Sequence, residues 1–305
     1  MKAARIHKFG GPEVITVEEV PVPVAGPGEV LVRVAATGVG PWDALIREGK
    51  SKVTPLPPLT LGSDLSGVIE AVGPGVTEFK SGDEIYGLTN PQFCGANAEY
   101  ALAFANMIAL KPRGMADIEA ASVPVVAVTA WQMLFDYGHA QRGQTVLILG
   151  AAGNVGAYAV QLAARAGLKV IAVAKEKETD HVRSLGANIT VTSQIGVFDD
   201  ADRSVDLLID TVGGDTLDRS VRGLKSGGVL VSVVSSDSPR THPDIQPVFF
   251  YVDVTTERLN TISKFFDSAE LQTSVGSVLP LEEIRTAHEM LAGAPHKRGK
   301  IVLKV

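Results

Sequence analysis

The chain has 305 residues, 45% hydrophobic and 20% charged, with a formal net charge of −6, which is ordinary for a globular protein of two domains or one large one. The acidic balance argues against nucleic acid or an anionic membrane as partner, and the single cysteine, Cys94, excludes an internal disulfide and any multi-cysteine zinc site. No charged n-region with an apolar h-region opens the chain and no apolar run reaches about eighteen residues, so a soluble, cytoplasmic protein is expected.

The first hundred-odd residues carry short apolar runs, Met1–Ile6, Val30–Ala35, Gly67–Val72 and Glu84–Tyr86. Between them stand turn signals such as Gly10-Gly11-Pro12, Gly26-Pro27-Gly28, Gly73-Pro74-Gly75 and Lys80-Ser81-Gly82-Asp83. This punctuation predicts a β-rich, barrel-like module. Residues 51–62, rich in Pro and Thr, read as a surface loop. From Asp117 to Tyr137 the period becomes helical, with one segment ending before Pro124 and a second spacing Val126, Thr129, Ala130, Met133 and Leu134 on one face. Pro124 is the expected domain boundary.

Next comes Val146-Leu147-Ile148-Leu149-Gly150-Ala151-Ala152-Gly153-Asn154-Val155-Gly156, with a helix that buries Val155, Ala159, Leu162, Ala163 and Ala166. A second apolar strand, Val170–Ala174, follows. Strand, Gly-rich turn, helix and strand within about thirty residues form a βαβ unit suited to a dinucleotide pyrophosphate. The first turn of a helix has N–H groups without internal partners, and the dipole adds roughly half a positive charge there. The match to G-x-G-x-x-G is imperfect, because its first glycine falls on Ala151 while a glycine stands at Gly150. Strand and helix then alternate: a helix through Leu185, Ile189–Val191, Val205–Asp210, a helix over Leu217–Leu224 and Gly228–Val234. A doubly wound parallel sheet is expected. A helix (Leu259–Ala269), a strand (Ser274–Leu279), a helix (Glu282–Leu291) and a strand (Lys300–Val305) close the chain.

These residues resemble the medium-chain dehydrogenase/reductase superfamily, and within it the zinc-free quinone oxidoreductase (zeta-crystallin-like) branch. Its signatures are Gly67-Val68-Ile69-Glu70-Ala71-Val72-Gly73, Gly82-Asp83-Glu84-Ile85-Tyr86-Gly87, Thr129-Ala130-Trp131, the Gly150–Gly156 turn, Asp210-Thr211-Val212-Gly213-Gly214 and Arg298-Gly299-Lys300-Ile301-Val302-Leu303, in that order. The resemblance implies an α/β protein. A GroES-like β-rich catalytic domain takes residues 1–123 and 259–305, a Rossmann domain takes 124–258, and the active site lies in the cleft. In the zinc branch a Gly-Val-Cys-His segment and a Gly-His-Glu segment supply ligands; here the segments are Gly38-Val39-Gly40-Pro41 and Gly62-Ser63-Asp64. Glycine and serine do not replace thiolate and imidazole, so no metal is expected.

The ribose 2′-OH of NAD calls for a carboxylate at the end of the second strand. Here Ala174 and then Lys175 stand there, which welcomes a 2′-phosphate and predicts NADPH. The cofactor-binding set is Gly150, Ala152, Gly153, Asn154, Val155, Gly156 and Lys175, joined through the resemblance by Thr129, Asp210, Val212, Ser235 and Phe249. The substrate side is expected to use Thr129, Asp43 and Trp42. Where the family often has Gly-x-Asn-x-x-Asp-x-Tyr, this chain keeps Asp43 but has Gly40 and Leu45, so a more apolar acceptor than benzoquinone is expected. Without a Lewis acid, the fitting reaction is hydride transfer to an acceptor that stabilises its own charge, a quinone or other conjugated carbonyl. Two alternatives stand beside it: an enoyl or alkenal C=C reductase, and an NADPH-binding interaction or regulatory protein with little turnover. A homodimer is expected, with the Gly228–Val234 strand pairing with its copy.

Overall fold

The structure, a computed structural model, describes residues 1–192 and 204–305. The chain divides into two compact units, Met1–Val125 with Val254–Val305, and Val126–Asp253.

The first unit opens with β1 (Lys2–Ile6), β2 (Ile15–Glu19), β3 (Glu29–Val39), α1 (Pro41–Arg47) and β4 (Leu59–Thr60). It continues with β5 (Asp64–Val72), β6 (Glu84–Leu88), β7 (Tyr100–Phe104), β8 (Ile108–Leu110) and the short α2 (Asp117–Ala120). The second unit follows as α3 (Pro124–Trp131, beginning just before the boundary), β9 (Thr145–Leu149), α4 (Asn154–Arg165), β10 (Lys169–Ala174), α5 (Thr179–Ser184), β11 (Ile189–Thr192), β12 (Val205–Asp210), α6 (Gly214–Ser220), β13 (Leu224–Ser232) and β14 (Val248–Phe249). The chain then returns to the first unit with α7 (Thr256–Asp267), β15 (Val275–Pro280), α8 (Ile284–Leu291) and β16 (Lys300–Lys304).

In the first unit, β2-β1-β4 form a small sheet, and β15-β16-β3-β5-β6-β8 form a larger one, with β7 also on β3. The long β3 serves three partners because it bends, with register shifts against β5 between Leu31 and Val32 and between Val34 and Ala36. Gly67 lies at a close crossing, where a Cβ would strike the carbonyl oxygen of Arg33. One apolar cluster, with Val30, Val32, Leu65, Ile69, Ile85 and Ile108, fills the larger sheet. The returning segment is fastened by Tyr86, whose hydroxyl donates to Leu259 O at 2.8 Å, and by Thr256, whose Oγ1 donates to Ile108 O at 2.7 Å. At its end β16 pairs antiparallel with β3, Ile301 opposite Val39, which brings Lys300 to the end of β3.

The second unit is a six-stranded sheet in the order β11-β10-β9-β12-β13-β14, parallel throughout. Central β9 is buried on both faces, Val146, Leu147, Ile148 and Leu149 all having no exposed surface, as expected of a strand covered on either side. This is the doubly wound sheet that strand and helix alternation predicted.

Local departures have physical reasons. The 51–62 stretch contains β4, which pairs with β1 through Leu59 and Thr60. The helix expected over Leu217–Leu224 ends at Ser220, because Leu224 is already in register with Val205 on β12. On α4, Tyr158, Val160 and Gln161 are buried along with Ala159, Leu162 and Ala163, while Val155 and Ala166 are half-exposed. The outer edge of β13 is taken at Val231 and Ser232 by β14, so β14, not the Gly228–Val234 stretch, is the sheet's outermost strand.

Helix α1 is pinned by a buried arginine. Arg47, 2% exposed, donates from Nε to Gly10 O at 3.0 Å, from Nη2 to Glu48 Oε1 at 2.6 Å, and from Nη1 to His288 Nδ1 at 2.8 Å. Since guanidinium only donates, His288 Nδ1 is bare and the ring is neutral, with its proton on Nε2. Burial, with the Arg47 charge adding to it, pushes the His288 pKa down to about 3. A depressed histidine stabilises the fold above its unfolded value and loses that stabilisation as pH falls towards the folded one. His288→Asn, which keeps an acceptor for Arg47, is therefore expected to narrow the stability gap to the unmutated chain by about 1.4 kcal/mol per pH unit below ~6.5. Urea unfolding of both at pH values on either side of that point checks it, and parallel curves would refute it.

Candidate cofactor and acceptor sites

In the second unit, the chain leaves β9 at Gly150, whose φ is +70°. A side chain there would strike Thr211 Oγ1 and come 2.8 Å from Val212 Cγ2, so glycine is required both by backbone conformation and by space. Thr211 Oγ1 donates to Leu149 O at 2.8 Å and ties the end of β12 to the end of β9. Ala151 N donates to Val173 O at 3.0 Å, fastening the turn to β10 as well. Exposed Gly153 then caps α4, which runs twelve residues from Asn154. Gly156 lets the helix sit on the turn, since its Cβ would collide with Gly150 O. The first-turn N–H groups of a helix this long, behind an exposed glycine, make an anion cradle. Ala152, 8% exposed, lies within the turn.

Ala174 ends β10 buried, and Lys175 after it is exposed and makes no ion pair among the described residues. The strand-end position itself carries no carboxylate, Glu176 and Glu178 following in the next turn, and a dinucleotide with a 2′-phosphate is compatible with these residues.

Asp210 is fully buried and its carboxylate is already engaged. Oδ1 accepts the N–H groups of Val212 (3.0 Å) and Gly213 (2.7 Å), and Oδ2 accepts Ser232 Oγ at 2.8 Å. Ser232 Oγ in turn accepts Val234 N (3.1 Å) and Ser235 N (3.3 Å). Asp210 thus shapes the strand-end loops, leaving backbone and the 47%-exposed side chain of Val212 to face outward. Ser232 and Thr211 do this structural work, Thr211 from within the Asp210–Gly214 signature and Ser232 from the end of β13. Phe249 pairs with Ser232 through β14 and meets Tyr251 edge-on, ring centroids 5.5 Å apart. Gly150, Val212, Asp210, Ser235 and Phe249 are therefore linked through one set of strand-end contacts. Thr129 is buried on α3, 6% exposed.

In the first unit, Gly40 and Pro41 open α1, where Asp43 Oδ2 accepts the Gly40 N–H at 2.7 Å. Asp43 has no exposed surface, and Oδ1 has no hydrogen-bond partner among the described residues. Burial pushes its pKa up to about 7, against the pull of the Gly40 N–H and the Lys300 charge. Asp43 is a helix cap, with no surface to offer a substrate. Trp42, half-buried, donates from Nε1 to Ser63 Oγ at 2.9 Å. Lys300 Nζ lies 4.0 Å from the Trp42 ring centroid and 3.0 Å from Asp64 Oδ2. Lys300 is 1% exposed and Asp64 not at all. Burial drives the Asp64 carboxyl up, Lys300 draws it down, and Oδ1 accepts Val125 N–H at 3.1 Å. Leu45, where the family often has tyrosine, is 46% exposed on the same helix.

These residues do not fit a zinc ion. Gly40 and Ser63 stand where the zinc branch has cysteine and histidine, and both are occupied by Trp42: a Cβ on Gly40 would lie 2.6 Å from ring atom Cζ2, and Ser63 holds the indole N–H. Among the described residues no group of three or more His, Cys, Asp or Glu side chains is arranged to hold a metal.

A β-rich unit to which the C-terminal strands return, joined to a doubly wound dinucleotide-type unit, defines the medium-chain dehydrogenase/reductase class, and the chain belongs to that superfamily. Residues 26–115 match the Alcohol dehydrogenase GroES-like domain, and residues 185–303 match the family described as Zinc-binding dehydrogenase. Quinone oxidoreductase of Sus scrofa is 32% identical, the alignment covering 99% of this chain and 97% of that protein. The NADPH-dependent alkenal/one oxidoreductase of Arabidopsis thaliana is 30% identical over 99% of this chain and 79% of its own length. The structure of the quinone oxidoreductase from Coxiella burnetii superposes with a TM-score of 0.90 at 30% identity, covering 100% of this chain and 99% of that one.

A raised carboxyl stabilises the fold fully below its unfolded pKa and loses that contribution as pH rises through the folded one. Asp43→Asn, which keeps the oxygen that caps Gly40, is expected to gain on the unmutated chain by about 1.4 kcal/mol per pH unit between ~4 and ~7, then level off. Denaturant unfolding at pH 5 and at pH 8 reads it, and a gap that did not change would count against a buried, strained charge at this position.

Proposed function

We propose that the chain is a zinc-independent, NADPH-dependent oxidoreductase that transfers hydride to a quinone or another conjugated carbonyl acceptor. The observation that carries this reading is the Trp42 indole seated against Gly40 and Ser63, an aromatic wall where a metal would need ligands. The names of the relatives, quinone oxidoreductase and alkenal/one oxidoreductase, support the acceptor class.

Reduced nicotinamide supplies the hydride when bound. The α4 first-turn N–H groups hold the pyrophosphate, and Lys175 meets the 2′-phosphate. Asp210 and Ser232 hold the strand-end loops in one shape, which pre-orders the backbone that the cofactor meets. Trp42 gives the acceptor a flat apolar face and keeps water from it. The acceptor carries its own electron sink, and with Asp43 sealed as a cap the accompanying proton comes from solvent. A conjugated alkenal fits the same wall as a quinone, so C=C reduction is the second reading.

Lys175→Ala is expected to weaken NADPH binding about tenfold, roughly 1.4 kcal/mol, and to leave NADH binding unchanged. Fluorescence titration with both cofactors decides it, equal losses arguing against a 2′-phosphate contact. With NADPH, phenanthrenequinone and nonenal should turn over with a higher kcat/KM than benzoquinone. Silence across quinones and enones alike would favour an NADPH-gated interaction protein over an enzyme.

A further inference from the structure

We infer that Lys300 is a positioning residue for the acceptor wall: its buried ammonium pins the Trp42 indole, and through it fixes where the acceptor lies. The inference deepens the functional reading above and rests on it.

Trp42 is held on three sides. Its N–H is bonded to Ser63 Oγ at 2.9 Å, its ring lies against Gly40, and Lys300 Nζ covers it at 4.0 Å from the centroid. The sequence makes room for this at two glycines of the β3 end. A Cβ on Gly38 would come 2.9 Å from Lys300 Cε, and one on Gly40 would lie 2.6 Å from a ring carbon of Trp42. Asp64 holds the ammonium from beyond at 3.0 Å, and its other oxygen is fixed by Val125 N–H. The pair is a weak source of stability when taken as a whole. A buried ion pair replaced by apolar side chains of similar size is commonly as stable or more so, so its use lies in fixing one arrangement. An ammonium over an indole face is attracted by the ring quadrupole and favours one ring plane, which a methylene chain would not. The cation comes from the last strand, and the ring from α1. The C-terminal strand thereby sets the orientation of a half-buried side chain of α1.

The test uses the full chain. In unmutated protein, the Lys300 ε-methylene protons lie against the indole and should resonate upfield of the other lysines; ordinary shifts overturn the proposal without any variant. Next, in a Trp131→Phe background, Trp42 is the sole tryptophan, and the double variant Lys300→Met with Asp64→Asn removes both charges together. Acrylamide quenching of Trp42 should rise at least twofold, and KM for phenanthrenequinone about tenfold. NADPH affinity and kcat should stay within twofold, and Lys300→Arg in place of Met should recover most of the KM. Unchanged quenching and KM in the double variant overturn the role of Lys300, as does a loss of NADPH affinity of the same size. Trp42→Ala separates the two claims. If it leaves the acceptor KM unchanged, the wall reading itself fails; if it raises KM while the double variant does not, only the Lys300 inference fails.

Discussion

Lys300 is a charge taken almost entirely out of water, and the first unit is arranged around keeping that charge compensated. An isolated ammonium in a protein interior costs several kcal/mol even after relaxation. Three things offset it: the Asp64 carboxylate, the face of Trp42, and the exclusion of any competing bulk by Gly38 and Gly40. Asp64 in turn would be costly alone, and it is steadied by Val125 N–H at the entry to α3. Thr37 Oγ1, within 2.7 Å of Asp64 O, holds the backbone beneath it. Because these groups come from β3, α1, β5, the entry to α3 and β16, the ion pair can form only when the chain's two distant ends have already met. The pairing of Ile301 with Val39 and the ion pair are one event seen in backbone and in side chain.

The second unit uses charge in the opposite way. Its fully buried carboxylate, Asp210, faces three N–H or O–H donors and, among the described residues, no cation. A carboxylate that accepts several hydrogen bonds is content without a counter-ion. Its work is to hold two strand-end turns at a fixed spacing. Lys175 is left exposed after β10, while the start of α4 offers backbone N–H groups.

What the sequence makes legible follows from range. The Gly150–Gly156 turn, the apolar β9 and the strand–helix alternation are local patterns, so their periods and glycines are readable. Pro124 is too, because proline at a first helical position needs only its neighbours. Helix α1 is not: seven residues are too few for a period, although Pro41 and Asp43 are proper starting residues. The strand β2 and the pairing of β7 on β3 likewise depend on partners far along the chain. In the sequence Lys300 is only a member of a closing motif, and Asp64 only a position beside a missing ligand. Nothing in their flanking residues says that they meet. Asp43 shows the limit of a motif: the sequence marks an acid, and only the structure shows its carboxylate buried in the first turn of α1 and holding the Gly40 N–H.

On the reading proposed above, an indole in place of a metal's ligands limits what chemistry this unit supports. A divalent ion accepts a lone pair and draws charge from a carbonyl as it becomes an alkoxide. An ammonium behind an aromatic ring can do neither, since it has no vacant orbital and touches no substrate. What it supplies is a fixed plane. A fixed plane lowers the barrier of a hydride transfer by alignment alone, and alignment suffices only when the acceptor spreads the incoming charge over its own conjugated framework. Leu45, outward on the same helix and without a hydroxyl, removes one more polar group that a small, hydrophilic acceptor would use. On the reading proposed above, Trp42 and Leu45 point the same way, towards a flat, apolar, electron-poor acceptor.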